Sequence, residues 1–482
     1  MRSLLPLLLG GASIAAGSSA AAAIVGQTYD AVVLGTGLSE SLVAASLASQ
    51  GKRVLQLDGS GSAGGESPSL SLAQLSARLL GDDAAVETKL GNPNEYAVDL
   101  TPKVLLASGA ELQLLVRNGL WANMDFRRVH RSFIYRRRPD GVPDVHRVVT
   151  TKEDLVKTRM FPALEKAKAV QLFMWLDQFD EDDVGTYTAG KLNKKRLPLL
   201  KMSALSFFKF WELSPTTAEL IAQGLGRFSG SYKSLKKLSA IELVREMKAY
   251  KEAFKTFPHM TSPYVYPVGG LGASLAQATA KVLESNGGAA LPNEGVREIL
   301  FDKAGCACGV ATEAGDVHAD CIIAAPSHAG TYAEEYYQVV RLYAVLGHTP
   351  NQCKDARSCN LVLPGVHCGR KHPIHLFSSG SVHSVSPSGK YVAVLAARIE
   401  GDTNGLSAMQ VAKRELAAAL PLLKPAKKLI ASISPVCGPA LDASSTPPRL
   451  HVLHSCDESH AFTSVAAEAA RVLELLAAEE LV

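Results

Sequence analysis

Apolar and polar positions along the 482-residue chain change texture several times. Residues Leu4 to Val25 carry no charge, and Leu4, Leu5, Leu7, Leu8 and Leu9 precede a stretch of Gly, Ser and Ala. That is the pattern of a secretory signal peptide with a small-residue region near Ala20–Ala23, or else of a simple extension. Pro6, Gly10, Gly11 and Gly17 make it a poor membrane-spanning helix. From Tyr29 the pattern sharpens. Tyr29-Asp-Ala-Val-Val-Leu34 is a near-continuous apolar run that predicts a buried strand. Gly35-Thr-Gly37-Leu-Ser-Glu40 predicts a tight turn into a helix over Ser41–Gln50, and Gly51–Leu57 a second strand ending at Asp58. This is a βαβ unit with dinucleotide-fold spacing. Between about Thr151 and Arg227 glycine becomes sparse and helical periodicity takes over. Leu155, Val156, Phe161, Leu164, Phe173, Met174, Leu176 and Phe179 form one apolar series, and Leu199 to Trp211 a second. Ser214-Pro215 reads as the N-cap and first residue of a further helix through Leu220 and Ile221. Beyond this, Ala240–Phe257 predicts a helix with Ile241, Val244, Met247 and Phe254 on its buried side.

Composition adds exclusions. The chain has 50 Lys+Arg against 46 Asp+Glu, a net +4, with 47% apolar residues. A disordered chain and a coiled coil are ruled out, and the small basic excess argues against a nucleic-acid partner. The eight cysteines all lie between Cys306 and Cys456, too unevenly spaced for the disulfide framework of a small secreted domain. Cys306, Cys308, His318 and Cys321 could be drawn as a metal group, but C-x-C is not the usual zinc knuckle, so free thiols are expected and no metal site is assigned.

The βαβ unit carries the candidate chemistry. Asp58 stands where a dinucleotide fold places the acid that holds ribose hydroxyls, and Gly64-Gly65 follow as in many FAD-binding proteins. The third glycine of G-x-G-x-x-G is replaced by Glu40. A helix N-terminus attracts anions, and Glu40 supplies a carboxylate to that end itself. Gly35, Gly37, Glu40 and Asp58 are therefore expected to be a vestigial motif without cofactor. The alternative is a working flavin site with a helix-capping Glu40.

These residues, followed by Gly64-Gly-Glu-Ser67, resemble the opening of the Rab GDP dissociation inhibitors, whose relatives are the Rab escort proteins. The resemblance continues through Ala97-Val-Asp-Leu-Thr-Pro-Lys103, Met124-Asp-Phe126, Ser262-Pro-Tyr-Val-Tyr-Pro267, Gly270-Leu-Gly272 and Ser358–Pro364, in order, over about Gln27 to Leu475. It implies an α/β fold: a flavoprotein-type, FAD/NAD(P)-binding-like domain in two parts, 27–150 and 229–482, with an inserted all-helical domain at 151–228. Residues 1–26 remain a leader or extension. It also implies no catalysis and an empty flavin site. The expected partners are GDP-bound, prenylated Rab GTPases and their geranylgeranyl tails, with transient membrane contact.

By the same resemblance, the Rab-binding platform is Gly64, Gly65, Glu66, Tyr250, Glu252, Lys255 and Tyr264. The prenyl-pocket candidates are Leu164, Phe173, Met174, Phe207, Phe208, Leu220 and Ile221. Three departures bear on binding strength: Ala63 stands where the family has Tyr, Thr256 where it has Arg, and the chain between that helix and Ser262 is longer by two residues. Arg127, Arg128, Arg131 and Arg136–Arg138 form a basic cluster, read either as exposed strand faces and a turn at Pro139–Gly141 or as attraction to anionic membrane. The implied function is extraction and recycling of Rabs between membranes from a cytoplasmic pool, with the leader leaving secretory or organellar targeting open. The alternatives are an escort protein presenting Rab to its geranylgeranyl transferase, and a flavin-dependent oxidoreductase.

Overall fold

The strand Thr28–Leu34 lies inside a sheet because both of its faces are covered, which is why its sequence is an apolar run and not an alternation. In the computed structural model it pairs in parallel with Val54–Leu57 on one side and Asp316–Ala324 on the other. Ala289–Leu291 and Leu450–Val452 extend the parallel part, and Ala307–Thr312 and Val296–Phe301 complete the sheet in antiparallel fashion. The helix Leu38–Ser49 packs against the helices Leu271–Ser285 and Thr463–Ala478. Every residue from Leu38 to Ala48 is buried, including Ser39, Glu40 and Ser41. The described residues are 23–481 except 62, 82–87, 139, 141, 189–196, 354–355 and 443–445. Residues 1–22 of the leader and the turn positions Pro139 and Gly141 lie outside them.

A second sheet runs in the order Ala426–Pro439, Ala333–Leu346, Tyr391–Arg398, Ile374–Gly380, Cys359–Leu363, Arg131–Arg137, Pro143–Arg147. It is antiparallel except where Cys359–Leu363 meets Arg131–Arg137. The strand Tyr264–Pro267, buried throughout, joins Leu105–Leu106 to Phe126–Arg128 in a small third sheet.

The helices Ala163–Gln178, Ala204–Phe210 and Pro215–Gly224 form a helical layer whose buried side chains join the main apolar core. Ser214 caps the last of them, its Oγ accepting from Thr217 N at 3.3 Å, and Pro215 fills the first position, where no N–H is needed. Large aromatics hold the layer together: Trp175 lies 5.6 Å from Phe207 and 5.9 Å from Trp211 between ring centroids. The helix Ala240–Thr256, beyond the expected boundary at residue 228, packs against Ala163–Gln178 and Ala204–Phe210. Among the described residues no helix is long and apolar enough to cross a membrane, no group of three or more His, Cys, Asp or Glu could hold a metal, and the eight cysteines are free thiols.

Candidate functional site

Gly35, at φ +108°, makes the turn that ends the first strand, and Gly37 begins the helix without a side-chain cap. Four N–H groups at such an end need partners. The Glu40 side chain folds back over this turn. A Cβ on Gly37 would collide with Glu40 Oε2, and one on Gly35 would come within 3.3 Å of Glu40 Cγ. Glu40 is only 6% exposed. Burial, and next the nearby charge of Glu66, push its carboxyl up to about 8. At neutral pH it is therefore mostly a neutral acid. Glu40 thus covers the helix N-terminus by its volume, with its charge diminished by burial.

Asp58 is similarly engaged. Its Oδ2 accepts from Thr36 N at 2.9 Å and Thr36 Oγ1 at 2.6 Å, and its Oδ1 from Ser60 N at 2.8 Å. The Gly64-Gly65 segment lies directly on the turn: Gly64 N donates to Thr36 Oγ1 at 3.1 Å, and a Cβ on Gly65 would stand 2.8 Å from Gly37 N. A cavity of about 360 Å³ remains beside Gly37, Glu40, Asp58, Glu66 and His328. These residues do not fit a flavin dinucleotide. The pyrophosphate end of the cradle is filled by a side chain, and the ribose acid is turned onto its own loop.

The platform residues fall into two kinds. Glu66 is exposed and accepts from Ser455 Oγ at 3.2 Å. Glu252 and Lys255 pair at 3.0 Å on the outer face of Ala240–Thr256, with their side chains 41% and 73% exposed. Tyr250 and Tyr264 are instead core residues, which corrects the expectation for both. Tyr250 is fully buried, its hydroxyl donates to Ser132 Oγ at 2.8 Å, and its ring stands perpendicular to Tyr264 at 5.8 Å. Helical spacing puts Tyr250 on the Val244 and Met247 face, so it anchors the helix that presents Glu252. Burial raises both phenols above their ordinary range.

The polar side of the same helix is tied to its surroundings. Arg245 Nε donates to Glu181 at 2.7 Å, and Lys251 pairs with Asp177. A groove of about 670 Å³ runs here, with Glu252, Lys248 and Asp180 among its walls. Behind the helix is a charge network that sequence spacing does not reveal. Arg227 donates to Glu111 Oε1 at 2.8 Å and to Glu246 Oε2 at 2.6 and 2.9 Å. Burial alone would raise the Glu111 carboxyl, but the Arg227 guanidinium and the hydrogen bonds hold it below its ordinary value.

Among the prenyl-pocket candidates, Phe173, Phe207, Phe208, Leu220 and Ile221 are buried in one continuous apolar core. Met174 is half-buried and does not join that core. Leu164 is 74% exposed and does not join them. It follows Pro162 and Ala163 in the first turn of its helix, ahead of the buried stretch that begins at Ala169.

The two-part sheet architecture, a glycine turn and a flavin cradle filled from within define a flavoprotein-type α/β scaffold carrying a helical layer. The chain matches the GDP dissociation inhibitor family over residues 25–482, and it belongs to that family. A guanosine nucleotide diphosphate dissociation inhibitor of Arabidopsis thaliana is 32% identical, over 78% of this chain and 81% of that protein. Among solved structures, a Rab GDI of Plasmodium falciparum superposes with a TM-score of 0.83 at 22% identity, covering 94% of this chain and 98% of that one. An oxidoreductase of Methanosarcina mazei superposes with a TM-score of 0.55 at 14% identity, covering 93% and 100%. Both likenesses are of fold, and they bear out the flavoprotein-type architecture.

Proposed function

We propose that this protein is a soluble carrier of Rab GTPases in the cytoplasm. It binds the GDP-loaded, prenylated form, slows GDP release and withdraws the geranylgeranyl tail from the membrane. The reading is carried by the family match along residues 25–482. Glu252, Lys255 and Glu66 supply the polar face, with Tyr250 and Tyr264 fixing the helix from behind. Polar groups on a rigid helix set orientation and specificity more than raw affinity. The tail enters the core around Phe173, Phe207, Phe208, Leu220 and Ile221, beside Met174. Each buried CH2 contributes about 0.8 kcal/mol, so a twenty-carbon tail needs on the order of 10 kcal/mol of apolar surface. Because these side chains fill each other's space, admission of the tail requires the helices to part. The scaffold works without flavin, since Glu40 and Asp58 occupy its cradle.

The decisive experiment uses vesicles loaded with geranylgeranylated Rab-GDP. The protein is expected to move Rab into the supernatant and to show no visible flavin absorbance. Failure to extract, with support of transferase activity on unprenylated Rab, would assign an escort role. Stoichiometric bound flavin would reject the carrier reading of the cradle.

A further inference from the structure

One surface has no role in that reading. The strand Pro143–Arg147 is the outermost of the antiparallel sheet. The helix Lys152–Lys157 and the segment after it run beside it, held where Arg136 Nη1 donates to Arg159 O at 2.9 Å and Met160 O at 2.7 Å. Two clefts open between them and share His146, Lys157 and Thr158. One, of about 450 Å³, reaches inward to Phe254 and Met260. The other, of about 610 Å³, is walled by Arg136, Arg138 and Arg159.

The acids nearby do not neutralise this face. Asp144 pairs with His146 at 2.9 Å, and Asp140 with Arg138. Glu153 pairs with Lys152 at 3.8 Å, and Asp154 is the one acid lining the inner cleft, against Arg147 and Lys157. Arg147, Lys157 and Arg159 are exposed, and none joins an ion pair among the described residues. Burial, and then Arg147 itself, hold the neighbouring Arg131 below its ordinary value, a sign of crowded positive charge.

Large apolar side chains stand exposed on the same segments. Val142 is 45% exposed, Val156 67% and Leu164 74%. Val156 precedes Lys157, and Lys166 Nζ donates to Val156 O at 3.2 Å, which ties the first turn of Ala163–Gln178, where Leu164 sits, to the same place. Water solvates the cations but offers the apolar side chains no partner. An anionic bilayer offers both: phosphates for the cations and an interfacial layer for the apolar side chains.

We propose that this face docks the protein on anionic phospholipid bilayers, with Arg147, Lys157 and Arg159 at lipid phosphates and Val142, Val156 and Leu164 in the interfacial layer. The apolar groups come from three separate segments and form a broad contact, which suits a bilayer better than the single anchor of an acidic peptide. The proposal deepens the carrier reading by giving the side from which it meets the membrane. It is tested without Rab, so it stands or fails apart from that reading.

The test is co-sedimentation of the full-length protein with phosphatidylcholine vesicles, with and without phosphatidylserine as a minor component. Wild type is expected to bind the anionic vesicles only, less as salt rises. A cation near such a surface contributes about fivefold in binding, about 1 kcal/mol, so Lys157→Glu/Arg159→Glu is expected to weaken it by at least about twentyfold. Val156→Asp/Leu164→Asp is expected to weaken it as well. All four positions are exposed, so thermal stability should hold in both variants. Equal binding to neutral vesicles, or unchanged binding in both double variants, would overturn the proposal. So would binding of poly-glutamate with no binding to vesicles, which would assign an acidic-peptide site.

Discussion

Two buried glutamates behave in opposite ways. Glu111 is 2% exposed and Glu40 6%. Glu111 meets a guanidinium and is held below its ordinary value, whereas Glu40 meets other acids and its own backbone N–H and rises to about 8. Burial is the first influence on both, so the difference lies in the company each carboxyl keeps. At Glu111 the charge network joins three elements: the helix Ala110–Arg117, the residue Arg227 and the helix Ala240–Thr256. At Glu40 the side chain lies over Gly35 and Gly37 at the start of the first helix. One acid ties the helix Ala240–Thr256 to its surroundings, and the other packs over the glycine turn.

Removing the cation breaks this contrast most severely. Arg227→Met leaves Glu111 buried without a partner, and loss of one member of a buried pair costs about 3–5 kcal/mol. Urea unfolding is expected to show that loss at neutral pH. It should shrink on acidification, because protonated Glu111 no longer needs the cation. Adding Glu111→Gln should restore a good part of the stability. A cost below about 1 kcal/mol would place the network with ordinary surface pairs.

Glu40→Gln sharpens the contrast from the other side. In the unfolded chain Glu40 ionises near its ordinary value of 4.5, whereas in the fold it ionises at about 8. Between those values the unfolded state releases a proton that the folded state keeps, so folding stability falls as pH rises through that window. Glutamine removes the titration. The variant should match wild type below pH 4.5 and exceed it progressively toward pH 8, by on the order of a few kcal/mol. Identical pH profiles for the two proteins would show that Glu40 is solvated and the cradle open.

The first βαβ unit was legible because its signals are local: an apolar run, glycines at the turn and an acid at the end of the second strand. The place of Glu40 at the helix start was also legible, although its raised carboxyl was not, because that depends on burial and on Glu66, Asp58 and Glu468 arriving from elsewhere. Tyr250 was misplaced by analogy with a surface motif. Its own helical spacing from Val244 and Met247 already pointed inward. Leu164 belonged to an apolar series, but a first-turn position after Pro162 turned it outward. The Arg227–Glu111 pair spans 116 positions, and no periodicity links its members.

A third acid completes the series and carries the smallest stability effect. Glu252 is half-exposed, and its partner Lys255 is more exposed still. An exposed pair of this kind contributes about 0–1 kcal/mol, so Glu252→Ala should leave thermal stability nearly unchanged. Its consequence belongs to binding. On the platform helix, held from behind by Tyr250 and the Arg227 network, Glu252 is expected to contact the GTPase, and the alanine variant should weaken Rab-GDP binding. An anchor at an interface centre costs about 2 kcal/mol or more on truncation, whereas a rim contact costs less than 1 kcal/mol. Calorimetric titration of prenylated Rab-GDP distinguishes the two, and unaltered affinity removes Glu252 from the surface. Ala63→Tyr restores the aromatic that the family resemblance places before Gly64-Gly65. Tighter binding in that variant would show that the two sides of the platform still act together.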